Sequence, residues 1–337
     1  MGIRKVKEPE GNVPFRQLPI IDLTDLESED YSKRKKVAED VYKACTEVGF
    51  FYIKNHGISD ELVKNVRKNA DDFFKKVPIQ EKLKIDRKNN EYFLGYAPYE
   101  ALNEKEGKRP HSYESLLFGR EAKYDKEFGK ETGEKFDANN QWPPQDVLPE
   151  FKPCVSEYFS QMLTLSRKLI RIFALALNLD ESFFDDKVTH PGSLLALNYY
   201  AAQVADNPDA NTAIFPHTDH ELFTILRQDD SVNSLEVVSG DGIWVPATPI
   251  PGTFVVNIGD ALSIWTNNVF LSTLHRAINR SGTERYSIPF FFGADYEVVM
   301  KTLPSCITES RPKKYDNIVA GEHYLSKMSY AFKKSNK

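Results

Sequence analysis

Cysteine is scarce in this chain. Cys45, Cys154 and Cys306 are too few and too scattered for a disulfide framework or a Cys-rich zinc site, so a reducing compartment is expected. Long apolar runs are lacking too, and none approaches the ~20 residues that a membrane span requires. The opening M-G-I-R-K-V is charged and has no apolar stretch of the kind a secretion signal carries. Val6 stands where a myristoylation signal has Ser or Thr, and the Asn279-Arg280-Ser281 sequon carries little weight without secretion. Positive charge is not in excess. A net charge of −5 and a pI near 5.9 argue against a nucleic-acid or anionic-membrane partner. Repeats and low-complexity segments are absent. The expectation is a cytoplasmic monomer whose partner is a small molecule.

What is present suffices for a folded core, at 41% hydrophobic and 12% aromatic residues. At 337 residues the chain fits one large domain or two, and an all-β core with helical additions fills the length. Residues 1–18 read as a flexible segment, and L-P-I-I-D-L then gives a short strand. Val37, Val41, Ala44 and Cys45 recur at helical spacing, with Gly49 placed to cap the end. Phe50–Ile53 reads as a buried strand. Ser59, followed by Asp60 and Glu61, starts a second helix, and Pro78 opens a short third one. Residues 89–145 look irregular and aromatic, which completes an N-terminal region over 19–145. Such a long loop-like stretch is unusual unless functional. A long supporting helix, from about Pro149 to Leu177, dominates 146–190.

Short strands with turn signals fill 191–296: Leu194–Tyr200, Glu236–Val238, Thr253–Ile258 and Ala261–Trp265 all fit a double-sheet β structure. A terminal helix over Gly321–Phe332 closes the segment 297–337. The fold class is mainly β with flanking α-helices.

Within the strands, P-H-T-D-H-E-L-F-T-I-L-R-Q places His217 and Asp219 two residues apart, which on an extended strand means one face. A lone His-x-Asp pair is usually accidental. Here His275, in S-T-L-H-R-A, offers a third ligand, and Arg285-Tyr286-Ser287 follows at the head of I-P-F-F-F. Two histidines and one carboxylate on one side of a metal suit a non-haem Fe(II) oxygenase, whose open positions receive O2 and an organic co-substrate.

In this order the residues resemble the isopenicillin-N-synthase-like branch of the 2-oxoglutarate- and Fe(II)-dependent oxygenases. The match runs through G-F-F-Y-I-K-N-H-G-I, N-Y-Y at Asn198–Tyr200, H-T-D, G-D-A-L-S-I-W-T-N, S-T-L-H-R-A and R-Y-S-I-P-F-F. The resemblance implies a jelly-roll (double-stranded β-helix) core with Fe(II) on His217, Asp219 and His275. It implies that Arg285 and Ser287 bind the distal carboxylate of 2-oxoglutarate, helped by Asn198 and Tyr200, with ascorbate as an ancillary reductant. A planar guanidinium matches a carboxylate at two points, which Lys cannot copy. The outcome left open is hydroxylation, desaturation or oxidative cyclisation. Because Asp219 is present, halogenation, which in relatives needs a small residue there, is not expected.

Three rivals remain: an Fe(II) oxidase of the family that does without 2-oxoglutarate, a zinc hydrolase, and a non-catalytic receptor. Asn198 and Tyr200 tilt against the first. Arg285–Ser287 has no role in the second, although the triad suits zinc. The intact triad argues against the third.

The remaining histidines read as structural. His220 is out of phase with the pair, His56 is a turn residue, His190 precedes a strand and His323 lies in the terminal helix. Glu221 reads as a surface or supporting group rather than a base, and Trp244 and Trp265 as core. Substrate choice falls to Tyr92–Arg120, with Tyr96 and at least one of Arg109, His111 and Arg120 as contacts. Leu94 stands where relatives often have Arg, and Glu104, Glu106 and Glu114 favour a merely solvated loop.

Overall fold

A computed structural model describes residues 13–98, 113–202 and 212–335. In chain order come β1 (Ile20–Asp22), α1 (Tyr31–Glu47), β2 (Phe50–Lys54), α2 (Asp60–Lys76), α3 (Ile79–Lys84), β3 (Gly95–Ala97), β4 (Glu114–Gly119), α4 (Gly129–Thr132) and α5 (Phe151–Ala176). The core follows as β5 (Leu194–Tyr200), β6 (Thr212–His217), β7 (Phe223–Gln228), β8 (Leu235–Val238), β9 (Trp244–Pro246), β10 (Phe254–Ile258), α6 (Asp260–Trp265), β11 (His275–Ile278) and β12 (Arg285–Phe292). A small ribbon of β13 (Val299–Met300) and β14 (Ile318–Val319) leads into α7 (Ala320–Ser335).

The strands form two sheets, one of eight in the order β1-β2-β10-β7-β12-β5-β4-β3 and one of four in the order β6-β11-β8-β9. Strand alternation gives the large sheet two distinct faces. Phe223, Ile225, Val256, Ile288, Phe290 and Phe292 turn outward into the main core, where α5 lies. Phe159 and Phe173 of α5 meet Phe290 and Phe223 edge-on, with ring centres 5.0 and 5.1 Å apart. The other face turns toward the small sheet. There Phe50, Tyr52 and Val255 pack with Leu235, Val237 and Val245. The site lies on this inner face.

Local chemistry explains the helix ends. Asp30 accepts the Ser32 backbone N–H at 2.8 Å to start α1, and Gly49 (φ +73°) ends it in the left-handed region that glycine tolerates. Ser59 caps α2 through the Leu62 N–H.

Three expectations are corrected. The stretch taken as flexible to residue 18 is anchored within its described part. Phe15 and Leu18 are buried against the small sheet, and the Phe15 N–H donates to Ser239 Oγ at 2.8 Å. Residues 89–145 contain β3 and β4, which extend the large sheet beyond β5. Ala261–Trp265 is helical. A short apolar run has no period of its own, and here Gly259 leads it into a turn whose amides return to Asp219, His220 and Glu221 carbonyls.

Candidate metal centre

His217 ends β6 and His275 begins β11, and the two are directly paired across these antiparallel strands. Asp219 lies just beyond β6, in the turn that precedes β7. One ligand atom from each of the three falls within 4.8 Å of the others. Asp219 Oδ1 is 3.7 Å from His217 Nε2 and 3.6 Å from His275 Nε2.

The surrounding bonds aim these atoms. His217 Nδ1 donates to the Phe215 carbonyl at 2.8 Å, and His275 Nδ1 to the Thr273 carbonyl at 3.2 Å. A carbonyl only accepts, so each Nδ1 carries the proton and each Nε2 lone pair is free for a metal. Asp219 Oδ2 accepts from Thr224 Oγ1 at 2.5 Å and Asn257 Nδ2 at 2.7 Å, which leaves Oδ1 toward the histidines. Burial opposes the Asp219 charge, yet His275 and His217, with Asn257 and Thr224, hold its carboxyl below the usual range. Burial pulls the His275 imidazole down to about 4, so it stays neutral and able to ligate at neutral pH. The ring of Phe50 closes His275 off from behind, 5.1 Å away, while His217 is half-exposed and marks the open side.

An anion site lies on the inner face of the large sheet, the face that carries Thr224 and Asn257. Arg285 pairs with Tyr200 and Ser287 with Asn198 across β12 and β5. Arg285 is only 2% exposed, lies over the Tyr200 ring at 4.7 Å, and leaves Nε and Nη1 without a hydrogen-bond partner among the described residues. A buried guanidinium with two idle donors needs a carboxylate. Ser287 Oγ stands beside it, within 3.3 Å of Asn198 Nδ2 and the Tyr200 hydroxyl. Asn198 is oriented in turn by Ser115, whose hydroxyl donates to Asn198 Oδ1 at 2.6 Å. The donor set therefore fits a divalent metal next to a dicarboxylate whose far end meets Arg285.

Thr224, Asn257 and Ser115 were not singled out as site residues. Each has a sequence signal, a polar residue on the inner-face phase within a short apolar stretch: F-T-I-L, F-V-V-N-I and E-S-L-L-F.

The substrate candidates fare differently. Arg109 and His111 lie outside the described residues. Tyr96 pairs with Leu116, on the phase opposite to Ser115, and is 1% exposed in the main core with its hydroxyl bonded to Glu114 at 2.5 Å. It does not face the metal. Arg120 borders a cavity; its Nε is tied to Asp125 at 2.8 Å and its Nη2 to Thr132 at 2.6 Å, which braces the wall, while its buried Nη1 has no hydrogen-bond partner among the described residues. That cavity, about 300 Å³, lies at the Gly119–Leu194 end of the inner face, beyond Leu117 and Ala196, and is walled by Tyr92, Tyr296 and Tyr324. His220 turns away from the triad toward Asp260, 3.8 Å from its Nδ1, as its phase implied. Glu221 is half-buried, and its carboxyl takes the backbone N–H groups of His220 and of Glu221 itself. Burial, then the nearby Asp219 charge, push its carboxyl up to about 7.

Comparison with known proteins agrees with this geometry. Residues 18–145 match the family described as the non-haem dioxygenase in morphine synthesis N-terminal region, and 191–294 match the 2OG-Fe(II) oxygenase superfamily. The chain is 35% identical to the 2-oxoglutarate-Fe(II) type oxidoreductase ppzC of Metarhizium majus, covering 95% of this chain and 89% of that one. It is 36% identical to a homoarginine-6-hydroxylase of Arabidopsis thaliana, covering 94% and 98%. Among solved structures, a full-length Neurospora crassa protein in complex with alpha-KG superposes with a TM-score of 0.82 at 27% identity, over 98% of this chain and 100% of that one. The paired histidines, the shared carboxylate and the idle guanidinium belong to a 2-oxoglutarate- and Fe(II)-dependent oxygenase, and the chain is a member of that superfamily.

Proposed function

We propose that this oxygenase hydroxylates a small molecule, with Fe(II) on His217, Asp219 and His275 and the distal carboxylate of 2-oxoglutarate on Arg285 and Ser287. The observation that carries the reading is Arg285, a buried cation whose two idle donors sit on the large-sheet face from which Thr224 and Asn257 hold Asp219. Bound Fe(II) would supply O2 activation coupled to oxidative decarboxylation of 2-oxoglutarate. The chain's own residues do the positioning. Thr224 and Asn257 fix the Asp219 carboxylate, the two backbone carbonyls fix the imidazoles, and Tyr200 and Asn198 shape the anion end. Phe50 and the apolar layer between the sheets exclude water.

Hydroxylation is favoured because the Arabidopsis relative is named a hydroxylase. Its named substrate, homoarginine, and the thymine found with the Neurospora crassa protein differ in charge and shape, so neither name fixes the substrate here. The test is anaerobic addition of Fe(II) and then 2-oxoglutarate, watching for the visible absorption of their complex. Succinate release is then measured across a substrate panel. Turnover that needs no 2-oxoglutarate would instead support the family's oxidase chemistry.

A further inference from the structure

Strand pairing lines up two rows of side chains across β4, β5 and β12 on the inner face of the large sheet. Ser115 is registered against Asn198, and Asn198 against Ser287. One residue before β4, Tyr113 reaches Tyr200, which is itself registered against Arg285. Each member of the Arg285–Ser287 pair is thus backed by its own row.

The first row is made of flat groups. The Tyr113 ring stacks on the Tyr200 ring, with centres 5.0 Å apart and planes 30° from parallel. The Arg285 guanidinium lies over the same Tyr200 ring, 4.7 Å from its centre. Because β5 runs between β4 and β12, Tyr200 is held between the other two. Tyr113 and Ile214 also pack on a small buried cluster of Tyr200 and Ala277, which joins the two sheets at this end. The second row is made of hydrogen bonds. Ser115 Oγ donates to Asn198 Oδ1 at 2.6 Å, which turns the amide so that Nδ2 donates to Ser287 Oγ at 3.3 Å. Ser287 accepts there and keeps its own hydrogen, for which a carboxylate is a stronger acceptor than the Tyr200 hydroxyl 3.3 Å away.

We propose that Tyr113 and Ser115 are positioning residues for the co-substrate. They hold Tyr200 and Asn198, and through them Arg285 and Ser287, in the geometry that receives the distal carboxylate of 2-oxoglutarate. A long guanidinium side chain loses rotamer freedom when it binds, and an aromatic wall that fixes it beforehand reduces that loss. The hydrogen-bond row does the same for the short donor by setting the Asn198 amide. Both residues come from the stretch Tyr92–Arg120, in which substrate contacts are expected from the sequence. Their strand phase puts them at the anion end instead.

This inference rests on the oxygenase reading, and its test separates the two. Fe(II) and then 2-oxoglutarate are titrated calorimetrically, under argon, into the parent and three variants. Tyr113→Leu removes the stack and Ser115→Ala the first hydrogen bond. Each should weaken 2-oxoglutarate binding roughly two- to tenfold, the worth of one aromatic pair or one hydrogen bond. Iron affinity should stay at the parent's value, because neither row includes a metal ligand or one of its partners. Tyr113→Phe keeps the ring and should bind 2-oxoglutarate like the parent. Ser115→Ala, which removes a single oxygen, carries the test if Tyr113→Leu does not fold. Parental 2-oxoglutarate affinity in Tyr113→Leu overturns the ring row, and in Ser115→Ala the hydrogen-bond row. Iron affinity that falls as far as 2-oxoglutarate affinity, or a Tyr113→Phe variant as weak as Tyr113→Leu, overturns the positioning role. Failure of 2-oxoglutarate to bind the parent would overturn the oxygenase reading instead.

Discussion

His217 and His275 are partners in one antiparallel strand pair, and their rings lie 4.2 Å apart at 54° to one another. Two ligands that are distant in sequence are thus fixed by a single ladder. Asp219, in the turn beyond β6, needs separate fixing, which Thr224 and Asn257 supply from the facing sheet. The centre therefore bridges both sheets, and its geometry depends on their packing.

From this comes the first prediction. Asn257→Ala removes one of two donors to Asp219 Oδ2 without touching a ligand. Iron affinity should fall roughly ten- to a hundredfold, the usual cost of losing an outer partner. Thr224→Val should act in the same direction. Metal titration followed by tryptophan fluorescence or calorimetry reads the effect, and unchanged affinity in both variants would show that Asp219 is held by other means.

Arg285 gives the second. Arg285→Ala should weaken 2-oxoglutarate binding about ten- to a hundredfold, since a hydrogen bond to a charged group is worth ~1.5–3 kcal/mol. Arg285→Lys keeps charge but loses the planar fork, and should fall between the two. Equal Kd values for Arg285→Ala and the parent would remove this residue from the co-substrate site.

His275 sets a pH dependence. Its folded-state pKa is about 4, pulled down by burial, against an unfolded value of ~6.5. In that window the unfolded chain binds a proton that the native state refuses. Stability is thus fully present above pH ~6.5 and is lost as pH falls toward 4, by roughly 3 kcal/mol for metal-free protein. His275→Gln should flatten this part of the profile. Denaturant melts of both proteins between pH 4 and 7 decide the matter, and parallel profiles would count against a neutral buried His275.

Much of this site was legible because each functional group left a mark in one dimension. His217, Asp219, His275 and the Arg285–Ser287 pair sit on or beside period-2 runs, and the inner-face residues Asn198 and Tyr200 share that phase with Ser287 and Arg285 through strand pairing. Register itself was not legible. Nothing in G-Y-A or E-S-L-L-F-G announces that the two segments pair, so β3 and β4 read as loop and Tyr96 as a substrate contact, although it is buried in the main core. Ala261–Trp265 was misread because its helix is dictated by the Gly259 turn rather than by any pattern of its own.

Arg120 supplies the last prediction. Asp125 receives Arg120 Nε at 2.8 Å, and Arg167 Nη1 and Nη2 at 2.8 and 2.9 Å, with all three residues buried. Burial opposes the Asp125 charge, but Arg167 and then Arg120 hold its carboxyl down at about 2, so it is ionised at neutral pH. Asp125→Asn leaves two buried guanidinium groups facing a neutral amide. Removing one member of a buried pair typically costs ~3–5 kcal/mol, because the surviving charge has lost its counterion. The variant should therefore melt well below the parent, whereas Arg120→Met, which removes a charge along with its need for a partner, should be milder. Were Arg120 chiefly a substrate contact, Arg120→Met would raise the KM for the substrate with little loss of Tm, while Asp125→Asn, which still strips Arg167 of its counterion, would melt low all the same. Thermal melts of the two variants, read beside KM, separate a wall-bracing arginine from a substrate-binding one.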